Sequence, residues 1–221
     1  AMNFSNKATI RKFIKENDID INERIGKSIY NELGNSIRSL GLDKINLLID
    51  LGADVDTTNS LDDRYFQSPL MLACNINVEN TNYWSNDTTK NKIITALLNA
   101  GANVNVADIN GDSPLLKIIE TGFYAPDYLK SNNYYVPEYF ITFENYKNVI
   151  QDLINKGADV NHANKKGLTP LGSLAINFSL QSTGKLTHPT EAYNEIVEML
   201  KQAGAKPIKA PIFNFYDSSG W

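Results

Sequence analysis

The chain has 221 residues and a formal charge of −4, with 42% apolar and 21% charged residues. That balance supplies a packed core and argues against wholesale disorder, while the mild acidity argues against a nucleic-acid surface, which needs a basic patch or stripe. No apolar run approaches the roughly 18 residues of a membrane span, and the lone Cys74 permits no internal disulfide, which fits a reducing, cytoplasmic setting.

The opening residues lack the apolar stretch of a secretory signal. Ala1 ahead of Met2 reads as a cloning remnant, so a trimmed export signal stays open as an alternative. A first helix is predicted over Asn6–Glu16. It is followed by Asp18-Ile19-Asp20-Ile21-Asn22, a weakened form of a phrase that returns downstream. Helices are expected at Lys27–Ser39 and Asp43–Leu51, and the second stops at Gly52-Ala53-Asp54-Val55-Asp56. The same words recur as Gly101-Ala102-Asn103-Val104-Asn105 and Gly157-Ala158-Asp159-Val160-Asn161, and Gly204-Ala205 opens them once more. Apolar residues at helical spacing precede each Gly, which suits the left-handed position that ends a helix. The periods between these glycines, 49, 56 and 47 residues, are long and unequal.

A hydroxyl residue and a proline start the next helix each time: Ser68-Pro69, Ser113-Pro114 and Thr169-Pro170. The hydroxyl caps an orphan N–H, and Pro suits the first helical position. Paired helices are therefore expected at Pro69–Asn77 and Thr88–Ala100, at Pro114–Gly122 and about Phe140–Lys156, and at Pro170–Leu180 and Pro189–Ala203. Gly111 and Gly167 mark turns before two of them.

Taken together, Gly-Ala-Asp-Val-Asn, a polar stretch, Gly-x-Thr-Pro-Leu and two helices resemble the ankyrin repeat, whose period is about 33 residues. The Gly-to-Pro distance is 13 residues in two units and 17 in the first, and Asp18 lies 34 residues before Gly52. The resemblance covers roughly Ala8–Lys206. It implies an all-α solenoid of stacked helix pairs in one domain, with a cap helix and degenerate finger over 1–26, four repeats over 27–206 and a tail over 207–221. The His that usually follows Thr-Pro-Leu is replaced by Met71, Leu116 and Gly172, so the joints between repeats are expected to rely more on packing.

Two surfaces are candidates for a partner. Long inserts separate the paired helices, and the third is rich in aromatics, the residues that dominate interface energetics. Tyr83, Trp84, Tyr124, Tyr128, Tyr134, Tyr135 and Tyr139 form this first set, set against the plainer reading that the rings pack the inserts onto the helices. The resemblance implies a second set in the finger turns: Asp62, Asp63, Arg64, Asp108, Asn110, Lys165 and Lys166, with Asp56, Asp112 and His162 beside them. Asp54, Asn103 and Asp159 are read instead as serving backbone hydrogen bonds of the turns. The early fingers are acidic and the last is basic, a gradient able to orient a charged partner.

No catalytic or cofactor-binding motif is found, and His162 and His188 have no metal-ligand spacing around them. Cys74, in an apolar helix, reads as a buried inert thiol. The expectation is a non-enzymatic protein-binding module, monomeric alone, without cofactor or nucleic acid. By resemblance it is an immunity protein or inhibitor that neutralises a toxin. The alternatives are an effector that binds a host protein, or an insert-lined ligand or enzymatic pocket. The tail Ile212–Tyr216 is read as folding back over the last helix pair.

Overall fold

A computed structural model describes residues 7–23, 30–57, 67–75, 86–122, 138–181 and 190–207. Among them are helices α1 (Lys7–Glu16), α2 (Glu32–Arg38), α3 (Leu42–Leu51), α4 (Pro69–Asn75), α5 (Asn86–Asn99), α6 (Pro114–Gly122), α7 (Glu138–Asn155), α8 (Pro170–Gln181) and α9 (Thr190–Gln202), and no strand. The fold is all-α.

Local chemistry at the helix ends follows the sequence closely. Ser68 Oγ accepts the N–H of Met71 at 3.2 Å, Ser113 Oγ that of Leu116 at 3.2 Å, and Thr169 Oγ1 that of Gly172 at 3.1 Å. Each is a side-chain cap three residues before its donor. At the other end, Gly52, Gly101, Gly157 and Gly204 all have φ between 89° and 99°. In each Gly-Ala pair the two N–H groups donate back to the last turn, as in Gly52 to Ile49 and Ala53 to Leu48, which closes the helix with a paired-bond stop.

Helix α2 differs from expectation. It begins at Glu32 rather than Lys27, because Asn31 is extended and its side chain accepts the N–H of Gly34 at 2.9 Å. Asn is a strong cap and an indifferent helix interior.

The helices pack as two layers. α2, α4, α6 and α8 contact one another in chain order and form an inner layer. In the outer layer α1 packs on α3, α3 on α5, α5 on α7 and α7 on α9, and each inner helix also contacts the outer helix that follows it. One apolar cluster runs between the layers, from Tyr30 and Ile37 through Leu70, Leu97 and Leu115 to Leu153, Leu174 and Leu200. Met71 and Leu116, which stand where a His was expected, are buried as well, though not as members of that cluster. Cys74 is also fully buried, and its thiol is pushed up to about 12 by burial, so it stays protonated and unreactive. No helix of the described residues is long and apolar enough to cross a membrane.

Candidate functional site: the joined finger turns

The connections between helix pairs are turns in which Asp or Asn alternates with an apolar residue. The apolar member faces the core: Val104 and Val160 are buried, and Ile21 and Val55 pack against the cluster. The polar members form a continuous ladder. Within each turn the first side chain accepts the N–H two residues on: Asp20 from Asn22 at 2.8 Å, Asp54 from Asp56 at 2.9 Å, Asn103 from Asn105 at 3.0 Å, and Asp159 from Asn161 at 2.8 Å. The second side chain then reaches the next turn. Asn22 accepts from Asp54 N–H, Asp56 from Asn103 N–H, Asn105 from Asp159 N–H and Asn161 from Lys206 N–H, all at 2.8 Å.

Asn105 and Asn161 add a second bond, donating through Nδ2 to the carbonyls of Gly157 and Gly204 at 3.0 Å. Asp54, Asn103 and Asp159 thus hold the turn backbone as expected. The joints carry hydrogen bonds through these side chains, at positions other than the one after Thr-Pro-Leu where the usual His is replaced. The clue lay in the sequence, where Asx residues stand two apart at Asp20/Asn22, Asp54/Asp56, Asn103/Asn105 and Asp159/Asn161.

The last two fingers are also joined beyond the ladder. Lys165 N–H donates to Asn110 O at 2.9 Å, and His162 Nε2 lies 2.7 Å from Gly111 O. Asn164 Nδ2 donates to Asp112 at 2.8 Å while its own Oδ1 accepts the N–H groups of Lys166 and Leu168 at 2.9 Å. Gly111 permits this approach: at φ 79°, a Cβ there would lie 3.0 Å from Lys165 N. Beneath the fingers, Lys117 of α6 sits 2.8 Å from Asp112, 3.5 Å from Glu120 and 3.9 Å from Asp108, with its side chain only 13% exposed.

Burial works to raise the Asp112 carboxyl, but hydrogen bonds from Lys117 and Asn164 and the charges of Lys117 and Lys166 outweigh it and hold it below the ordinary range. Burial alone would lower Lys117, yet Asp112, Glu120 and Asp108 hold its ammonium above the usual value. Glu120 is raised by burial and by the charges of Asp112 and Asp108, against the pull of Lys117.

This geometry sorts the finger candidates. Asp108 is turned inward: its side chain is 5% exposed, and Oδ1 accepts the N–H groups of Asn110 at 2.8 Å and Asp112 at 2.9 Å. Asp56, Asp112 and His162 likewise serve the scaffold. Asn110, Lys165 and Lys166 are exposed, and neither ammonium has an ion-pair partner among the described residues. Next to Asn110 in the same turn stands Ile109, 51% exposed, a residue without a signal in the sequence because an isolated Ile in a turn makes no pattern. Asp62, Asp63 and Arg64 lie outside the described residues, as do Tyr83, Trp84, Tyr124, Tyr128, Tyr134, Tyr135 and the tail. Tyr139 falls within α7, with its side chain outside that description. Neither a protein-family model nor a curated protein sequence matches the chain.

Proposed function

We propose that the chain is an ankyrin-type repeat protein acting as a non-enzymatic protein-binding module, an inhibitor that neutralises a cognate toxin. The observation that carries the binding role is the joined pair of fingers. Asn110, Lys165 and Lys166 are held on a hydrogen-bonded frame, with an exposed Ile109 next to Asn110 in its turn. A preformed surface loses little entropy on association, and two cations with no ion-pair partner among the described residues, on the same joined fingers as an apolar tip, suit an acidic partner with a pocket. The recurrent Gly-Ala stops, hydroxyl-Pro caps and two helix layers support the repeat reading. Inhibition is the favoured role because a rigid, irregular surface suits a single partner.

The test is co-expression and pull-down with the product of the neighbouring gene. Binding and rescue from toxicity are expected, with loss on Lys165→Glu/Lys166→Glu; a neighbour neither bound nor neutralised ends the inhibitor reading. An effector that grips a host protein by its fingers is the second reading, favoured by the same exposed lysines. It predicts that the charge swap abolishes host binding while deletion of Tyr134–Tyr139 does not.

A further inference from the structure

The outer layer holds a groove that the finger reading does not use. It lies between α3 and α5, reaches Asn145 of α7, and has a volume of about 810 Å³, inside the roughly 300–1,000 Å³ range of ligand clefts. Alongside Leu42, Ile49 and two alanines, its lining carries four asparagine amides, Asn46, Asn91, Asn99 and Asn145, with Lys92. All four side chains are exposed or half-buried, and none of the four amides has a hydrogen-bond partner among the described residues. Nearby Asp50 also lines the groove, but its carboxylate is bound by Lys7 of α1. Lys92 is exposed and has no carboxylate partner among the described residues.

A side-chain amide offers one carbonyl acceptor and two N–H donors on adjacent atoms. That is the complement of a peptide unit, which presents the same two functions. Spacing agrees with chemistry. Asn91 and Asn99 stand eight residues apart along α5, a rise of about 12 Å; Thr95 between them is already engaged, its hydroxyl donating to Asp152 of α7 at 3.2 Å. An extended chain advances about 13 Å over four residues, so two outward-facing peptide units of a strand, four residues apart, fall near these two amides. Asn46 on α3 and Asn145 on α7 offer further amides from the flanking helices.

We propose that this groove takes an extended segment of another protein, gripped through its backbone amides by Asn91, Asn99, Asn46 and Asn145, with an acidic residue of that segment opposite Lys92. The proposal shares with the finger reading only that the partner is a protein.

The test is selection of random 12-residue peptides displayed on phage against the full chain, followed by titration of an enriched peptide. The control is the double variant Asn91→Ala/Asn99→Ala; alanine at these helix-surface sites favours the helix, so the variant folds. Each lost amide removes about two hydrogen bonds and costs roughly tenfold in affinity. The double variant is therefore expected to bind about a hundredfold more weakly. N-methylation of alternate backbone amides in the peptide is expected to abolish binding, Lys92→Glu to reverse the preference for an acidic residue, and Lys165→Glu/Lys166→Glu to leave the peptide bound. Failure to enrich any peptide, equal binding by the double variant, or tolerance of N-methylation overturns the proposal and leaves the finger reading standing.

Discussion

Asp56 is the only carboxylate among the four side chains that carry the ladder from one finger to the next; the other three are Asn22, Asn105 and Asn161. A carboxylate supplies the acceptor for Asn103 N–H, but it has no N–H of its own to offer the Gly101 carbonyl. Asn105 and Asn161 make that bond to Gly157 and Gly204. Asp56→Asn keeps the acceptor and adds the donor, so it is expected to stabilise the fold by about 0.5–1.5 kcal/mol, read by urea denaturation. No gain, or a loss, shows that this joint is spaced differently from the other two. Asp18 marks a second residue-scale conflict. It occupies the left-handed position (φ 49°) where the other outer helices place Gly, and Ile19 N–H returns to Ile14 O as in the other stops. Asp18→Gly is expected to raise stability by about 0.5–1 kcal/mol by removing Cβ strain, less the added freedom of Gly in the unfolded chain. An unchanged denaturation midpoint counts against that account.

At the scale of elements, the hydroxyl-Pro starts and the Gly-Ala stops were legible because each is set by chemistry within about six residues. Ser113-Pro114 and Gly157-Ala158 specify their ends without help from the rest of the chain. What was not legible depends on which turns adjoin. Asp108 read as a partner-facing tip, yet its carboxylate is committed to its own turn and to Lys117, a residue of the next helix. The Lys117 cluster yields a pH prediction. Asp112 is lowered, so its pairing stabilises above the ordinary carboxylate range and is lost only as pH falls through the lowered value. Glu120 is raised, so its ionisation opposes folding above that value and its protonation relieves the cost. Glu120→Gln is therefore expected to be more stable than the parent at pH 7. The gain is at most about 0.5 kcal/mol, because the side chain is 32% exposed and its charge is screened. That advantage shrinks as pH falls through the raised range of Glu120. A difference between the two chains that stays constant with pH argues against this assignment. Lys117→Met leaves Asp112, Asp108 and Glu120 crowded without a cation. It is expected to cost about 2–4 kcal/mol in thermal unfolding, somewhat less than a fully buried broken pair.

Among the described residues the helix pairs pack mainly on their neighbours, and the ladder is a polar thread that runs from Asp20 to Lys206. In the stacked array proposed above, stability is a sum of unit terms and nearest-neighbour joints, so the position of a broken joint decides how unfolding proceeds. Asn105 sits mid-array and makes two inter-turn bonds, to Asp159 N–H and Gly157 O. Asn161 makes the matching pair to Lys206 N–H and Gly204 O at the last described turn. The lost bonds are the same in Asn105→Ala and Asn161→Ala, and each costs about 1–3 kcal/mol locally. The global consequences differ. Asn161→Ala is expected to lower amide protection around Gly204–Lys206 while the urea transition keeps its slope. Asn105→Ala weakens the coupling between the units on either side, so α6–α9 open apart from α2–α5, the slope falls, and hydrogen exchange reports two protection levels divided near Gly101–Val104. If both variants instead lower all amides equally and keep one sharp transition, the array unfolds as a single cooperative unit. The ladder then contributes to total stability without setting where the molecule divides.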